Sequence, residues 1–232
     1  SLTLVVLLPA MAGAQHLLVP MDDDQSNQLK AYGLTFNALR DGNKAEWFIN
    51  YRGGAYLLPD LPDLRKRATL DGVSFEALDN GRLAIIRAEI AAGNMDAISL
   101  ERAPKIAIYK PSKSPPWDDA VTLALQYAGI DFASLYDEEV VAGDLAKYDW
   151  LHLHHEDFTG QQNKLYLGFR DTPWFIEQRD VAMASARKLN FPNIPAMKKA
   201  VAEKMRQFVE RGGFLFAMCG ATETLSLAIA AQ

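Results

Sequence analysis

Cys219, the only cysteine of the chain, occupies a position typical of a catalytic nucleophile. It ends an apolar run, Gly213 to Met218, that predicts a buried strand, and a helical pattern begins directly after it at Gly220. A sharp turn from strand to helix exposes the residue at the turn, near the positive end of the helix dipole. Because that field favours the thiolate, the reactive form of cysteine, we expect Cys219 to act as a nucleophile.

A second group of reactive side chains lies at the end of the predicted strand Tyr148 to His154. The group comprises His152, His154, His155, Glu156 and Asp157. In a sheet with flavodoxin-type strand order, this strand lies beside the strand that leads to Cys219, about 4.8 Å away. We therefore expect His154, His155 or Glu156 within side-chain reach of Cys219, where a histidine would activate the thiol.

Three interpretations of these residues remain open. In the first, Cys219 is a nucleophile and its base is His154, His155 or a residue outside the sequence. In the second, His152 and His154 share one face of the strand and hold a metal ion, with the acidic residues after them nearby. In the third, His152 is buried, His154 and His155 lie at a solvated strand end, and Cys219 is a small core residue. The candidate catalytic set is Cys219, His154, His155 and Glu156, and we assign neither a metal nor a cofactor.

Strands alternate with helices in two successive parts of the chain. In the first part, the predicted strands are 16–20 and 46–51, and the predicted helices are 25–40 and 81–92. In the second part, the predicted strands are 105–109, 132–136, 148–154 and 213–218, and the predicted helices are 117–128 and 196–211. Such alternation indicates parallel βαβ units. We predict an α/β fold with two Rossmann- or flavodoxin-like parallel-sheet halves, 15–103 and 104–232, divided at Pro104.

Other segments are given structural interpretations. We expect Asp24 or Ser26 to cap the first helix, and Arg52 to Gly54 to form a turn. The basic residues of the helix 196–211, among them Lys198, are expected on its solvated face. The segment Phe158 to Phe191 shows no sustained period, which predicts a long functional loop.

The first fourteen residues have the pattern of a signal peptide. Leu2 to Leu8 is a short apolar core, and the small residues Ala12 to Ala14 resemble a cleavage site. Since Gln15 rather than cysteine follows, a lipid anchor is not indicated. We expect export to the periplasm. The sequence starts without methionine and stops inside an apolar helical pattern, Leu225 to Ala230, so we also expect the front part of a longer protein.

Composition limits the partners of the chain. Of its 232 residues, 49% are apolar and the net charge is −5, which predicts a folded core and argues against nucleic-acid binding. We expect no membrane association after signal cleavage, and an amide-containing small molecule or peptide as the substrate. A single cysteine leaves no internal disulfide. The sequence does not indicate the oligomeric state.

The strand, elbow cysteine and helix, preceded by three βα units from Lys105 onward, resemble the class I glutamine amidotransferase-like family. The resemblance covers 104–232. The family's elbow reads Gly-x-Cys-x-Gly, whereas here Ala217 and Ala221 replace the two glycines and Gly220 follows the cysteine directly. Only Cys219 carries over as a site residue. In the family, the histidine and glutamate partners of the cysteine come from a segment well after the elbow.

The whole chain is similar to a group of exported bacterial proteins often labelled asparagine synthetase B. The similarity lies in three segments, which are His16 to Asp23, Asn50 to Gly54 and Met218 to Thr222. Glutamine-dependent asparagine synthetases use an amino-terminal cysteine, and after Ala14 this chain has only Cys219. The resemblance therefore implies an amidotransferase-like domain. Two functions follow as hypotheses: a thiol-dependent hydrolase or amidotransferase acting through Cys219, or a non-catalytic ligand-binding or interaction module with the same fold.

Overall fold

The chain forms two compact units in a computed structural model that describes residues 15–111 and 119–231. The first unit extends to Ala103 and also includes Ala124–Ile130, and the second contains Pro104–Leu123 and the residues from Asp131 onward. The expected signal peptide, 1–14, and most of the loop expected at 111–116 lie outside the described residues. Within the described part, no helix combines the length and the apolar character needed to cross a bilayer.

The first unit is built on a five-stranded antiparallel sheet. Its strands are β1 (His16–Val19), β2 (Ala45–Ile49), β3 (Ala55–Pro59), β4 (Glu76–Leu78) and β5 (Asp96–Leu100), in the order β4-β1-β3-β2-β5. Its helices are α1 (Gln28–Arg40), α2 (Pro62–Asp71) and α3 (Asn80–Ala92). Two apolar clusters, one containing residues of α1 and α2 and the other residues of α3, bury both faces of the sheet.

The parallel sheet predicted for the first half is wrong, and the turn after β2 gives the reason. Arg52, Gly53 and Gly54 have φ angles of 45°, 74° and 94°, which fold the chain back at once into β3. A parallel pair needs a crossover of a dozen residues or more, so this short connection can only make an antiparallel hairpin. The expected turn at these residues is present, but the strand that follows it was not predicted.

The second unit is an α/β fold on a four-stranded parallel sheet. Its strands are β6 (Ile106–Tyr109), β7 (Phe132–Leu135), β8 (Trp150–Leu153) and β9 (Phe214–Ala217), in the order β7-β6-β8-β9. The helices are α5 (Asp137–Ala142), α6 (Asn163–Phe169), α7 (Pro173–Lys188), α8 (Ile194–Glu210) and α9 (Cys219–Ala230), and a short 3-10 helix covers Asp144–Lys147. A further helix, α4 (Ala120–Ala128), begins in the second unit, and its residues from Ala124 onward belong to the first. The α/β class is confirmed, and in this half the flavodoxin-type order is observed.

One face of this parallel sheet carries the main core of the second unit. All four residues of β6 are buried, as its unbroken apolar sequence predicts for a central parallel strand. Helix α8 covers the sheet with an apolar stripe at helical spacing, formed by Met197, Val201, Met205 and Phe208. This core holds the ends of the strands in fixed positions.

Two expectations for the second half are wrong. The strand before Cys219, β9, was expected to be buried, but within the described sheet it is an edge strand, and Phe214 and Phe216 are 59% and 40% exposed. The predicted functional loop at 158–191 contains α6 and α7 instead. In α6, residues 165–169 are all exposed, Leu167 to 82%, so this helix has no apolar face. In α7 the buried residues are Phe175, Ala182, Ser185 and Ala186, and only the first of these is a large apolar side chain.

Candidate functional site

The carboxyl ends of all four parallel strands carry polar or reactive residues. Tyr109 ends β6, Asp137 follows β7, the segment His154 to Glu156 follows β8, and Cys219 follows β9. Because parallel strands end at the same edge of a sheet, these residues share one edge. The strand order reverses between β6 and β8, and ligands bind at such a reversal in open α/β sheets.

Cys219 has the backbone geometry of a nucleophile elbow. Its φ angle is 50°, it is the first residue of α9, and it is exposed. An L-residue in this left-handed region costs about 1–2 kcal/mol, and a strained turn of this kind projects a nucleophile from its strand. The interpretation of Cys219 as a small core residue is therefore wrong.

The strain at Cys219 predicts that glycine is more stable at this position. We expect Cys219→Gly to raise the free energy of unfolding by about 0.5–1 kcal/mol, because relief of the left-handed strain exceeds the larger unfolded-state entropy of glycine. Urea unfolding would measure the difference. The matched substitution Met218→Gly, at a φ of −126°, should destabilise the protein. A loss of stability in Cys219→Gly would contradict the strained elbow.

The segment after β8 is joined to the elbow by backbone contacts. The Met218 N–H donates to the Leu153 carbonyl oxygen at 2.9 Å, and the Ala221 N–H donates to that of His154 at 3.1 Å. A Cβ placed on Gly220 would lie 3.5 Å from the carbonyl oxygen of His155 and 3.9 Å from its Cα. The expected proximity of the two segments is thus observed in the backbone, and His155 packs against the residue next to Cys219.

The side chains of His154 and His155 contact each other, and a buried carboxylate lies near His154 and His152. The two Nδ1 atoms lie 3.0 Å apart, so one ring can donate a proton to the other. Asp119, just before α4, has its Oδ1 atom 3.8 Å from His154 Nδ1 and its Oδ2 atom 3.3 Å from His152 Nε2. We did not single out Asp119 from the sequence, because it falls in the first turn of the predicted helix 117–128, where acidic residues are common.

His152 is fully buried and supports the site from within the sheet. Its ring stacks on Phe216, with centroids 5.7 Å apart, and neither ring nitrogen has a hydrogen-bond partner among the described residues. Burial lowers the pKa of His152, and the nearby Asp119 carboxylate only partly offsets this effect. The neutral ring is therefore favoured. This burial was one of the three interpretations of the histidines.

Glu156 holds the segment after β8 in place. Its Oε2 atom accepts a hydrogen bond from the His154 N–H at 3.0 Å, and its carbonyl oxygen accepts one from Thr224 Oγ1 at 2.8 Å. Burial raises the pKa of Glu156, and the backbone hydrogen bonds to its carboxylate lower it by less. The contacts of Glu156 connect His154 to α9.

A buried ion pair lies at the same edge of the sheet. Lys198 Nζ donates to both Asp137 carboxylate oxygens, at 2.8 and 3.0 Å, and to Tyr109 Oη at 2.8 Å, and it lies 4.6 Å from the ring centroid of Tyr136. Burial lowers the pKa of Lys198, but its electrostatic interactions and hydrogen bonds with Tyr136 and Asp137 outweigh burial and the net direction is upward. The expectation that Lys198 lies on the solvated face of its helix is wrong.

The described residues of the first unit, from Gln15 onward, form no comparable site. The helix cap expected at Asp24 or Ser26 is Asn27 instead, whose side chain accepts a hydrogen bond from the Lys30 N–H. Asp22 and Asp24 both pair with the Arg52 guanidinium. Asp22 and Asp24 therefore have a structural role, as the ion-pair partners of Arg52.

The search for a metal site in the described residues and the comparisons with known proteins both gave no match. Across 15–111 and 119–231, no group of three histidine, cysteine, aspartate or glutamate side chains is arranged to hold a metal ion. Comparisons with known proteins found no matching family model, no matching curated protein and no matching solved structure.

Proposed function

We propose that the second unit is a thiol-dependent hydrolase or amide-transfer domain, amidotransferase-like in its architecture, with Cys219 as the nucleophile. The observation that carries the proposal is the exposed cysteine at a φ of 50°, at the junction of β9 and α9, next to the segment that holds His154 and His155. A strained and exposed nucleophile at the carboxyl edge of a parallel sheet is the arrangement that acyl transfer requires.

The base in this proposal is His155. Its backbone packs against Gly220, and its Nδ1 atom faces His154, so Nε2 is the ring nitrogen directed away from His154. If His155 Nδ1–H donates to His154 Nδ1, then Nε2 carries the lone pair that a general base needs. Glu156 fixes the backbone of this pair through the His154 N–H.

The reaction proceeds through a thioester. The thiol proton passes to His155 as the Cys219 sulfur bonds to the carbonyl carbon, and the carbonyl electron pair moves onto oxygen. Backbone N–H groups at the start of α9, such as that of Gly220, stabilise this oxyanion. The tetrahedral intermediate then expels the amine, which takes the proton from the imidazolium. Water or an acceptor amine attacks the thioester and releases the thiol.

An activated ester tests this function without knowledge of the natural substrate. Incubation with p-nitrophenyl acetate should release p-nitrophenol and add one acetyl group to the protein, located on Cys219 by peptide mass spectrometry. Cys219→Ser should lose the rapid adduct, and His155→Gln should form it more slowly. The absence of any adduct on Cys219 in the folded protein would favour the non-catalytic binding module.

A further inference from the structure

The buried carboxylate of Asp119, the residue before α4, lies near the imidazole rings of His152 and His154. Asp119 is 7% exposed, and its two carboxylate oxygens lie 3.8 Å from His154 Nδ1 and 3.3 Å from His152 Nε2. Burial raises the pKa of Asp119, but hydrogen bonds from Val121 and Thr122 and the nearby histidines outweigh it, so the net direction is downward. The ionised form is thus maintained next to His154.

Helix capping alone does not account for a charged group at this place. The Val121 N–H donates to Asp119 Oδ1 at 2.9 Å, and Thr122 Oγ1 donates to Oδ2 at 3.0 Å. Asparagine or serine would cap the helix about as well as aspartate. Aspartate differs in burying a full negative charge, which is costly unless a nearby positive charge or proton donor compensates it.

We propose that Asp119 is a positioning residue that stabilises the protonated His154–His155 pair during the Cys219 reaction. This inference rests on the proposed function. It adds a third group, whose negative charge stabilises the positive charge that the histidine pair gains.

The thiol proton of Cys219 can be followed through His155 and His154 toward Asp119. When His155 Nε2 takes the thiol proton, the His155 Nδ1 proton can pass across the 3.0 Å contact to His154 Nδ1. His155 is then neutral and His154 carries the positive charge, with its Nδ1 atom 3.8 Å from Asp119 Oδ1, a distance at which the two opposite charges attract without a hydrogen bond. The charge is therefore moved away from the elbow and toward its compensating partner, and the reverse path returns the proton to the leaving amine.

Asp119→Asn tests this role because it keeps the cap and removes the charge. We expect Cys219 acetylation by p-nitrophenyl acetate to slow about tenfold, since the protonated histidine pair then lacks the nearby negative charge that stabilises it. Nitrogen-15 NMR of the histidine rings should show a changed proton distribution between Nδ1 and Nε2 of His154. Asp79→Asn is the matched control, because Asp79 caps α3 through the Arg82 N–H and should leave both measurements unchanged.

Thr122→Val is the second variant and separates the cap from the charge. It removes the hydroxyl hydrogen bond to Asp119 Oδ2 and leaves the carboxylate in place. We expect a smaller loss of acetylation rate than in Asp119→Asn, because the carboxylate and its hydrogen bond from the Val121 N–H remain. An equal loss would show that Asp119 acts only by holding the start of α4. If the wild type acetylates and Asp119→Asn does so equally fast with unchanged His154 signals, the positioning role is overturned while the proposed function stands. If the wild type is not acetylated at Cys219, the proposed function fails. The NMR measurement still tests the effect of Asp119 on His154 in that case, and unchanged His154 signals in Asp119→Asn would overturn it.

Discussion

Asp137→Ala is expected to lower the free energy of unfolding of the second unit by about 3–5 kcal/mol, because it leaves a buried ammonium without its counter-ion. Asp137 is fully buried and Lys198 is 5% exposed, so water cannot replace the lost carboxylate. Tyr109 Oη, which lies 2.5 Å from Asp137 Oδ1, would lose its acceptor in the same change. Urea unfolding of the wild type and the variant at neutral pH measures the difference.

An exposed ion pair of the same type is the matched control. Lys147 Nζ lies 2.7 Å from Asp144 Oδ1, but the two side chains are 66% and 33% exposed. Asp144→Ala should therefore cost only about 0–1 kcal/mol. Combining Asp137→Ala with Lys198→Met should recover much of the loss, because no buried charge is then left unpaired. A loss below about 1 kcal/mol in Asp137→Ala would contradict the buried pair.

His155→Gln is expected to slow the alkylation of Cys219 by iodoacetamide about tenfold at pH 7. Roughly 3% of an ordinary thiol with a pKa of about 8.5 is ionised at this pH, so full ionisation would accelerate alkylation by at most about thirtyfold. Removing the base should cancel most of that acceleration. The rate is measured from the mass of the intact protein at successive times.

His16→Gln is the control for the loss of a histidine. His16 lies on β1 in the first unit, and its replacement should leave the alkylation rate unchanged. An unchanged rate in His155→Gln would exclude His155 as the base and turn attention to His154. If His154→Gln also keeps the wild-type rate, the histidines after β8 do not activate the thiol.

The second unit followed from its sequence because each strand carried a clear local signal. The apolar run at 105–109 predicted a strand, observed as β6, and the alternation with helices predicted the parallel pairing that is observed. The antiparallel sheet of the first unit was missed because its pairing depends on β3. The glycines of the preceding turn, Gly53 and Gly54, indicate that the chain reverses, but they do not indicate that a strand follows. β3 pairs with both β1 and β2, so missing it changed the topology.

The candidate site was predictable in its backbone and not in its supporting residues. The position of Cys219 between an apolar strand and a helix was sufficient to predict the elbow, and the strand order placed the segment after β8 beside it. Lys198 and Asp119 are 5% and 7% exposed, although charged residues are seldom buried. Their partners are distant in sequence, since Lys198 meets Tyr109 and Asp137, while Asp119 meets His152 and His154. The spacing of apolar residues along one helix or strand cannot predict contacts between residues that are distant in sequence.

The rate of Cys219 alkylation in the folded protein, relative to the same chain unfolded in urea, tests the central claim most directly. Both rates are measured with iodoacetamide at pH 7, with a cysteine peptide in the same urea concentration as the correction for solvent. If the elbow activates Cys219, the folded protein should react about tenfold faster than the unfolded chain. A folded protein that reacts at the unfolded rate, or more slowly, would contradict the claim that Cys219 is a nucleophile.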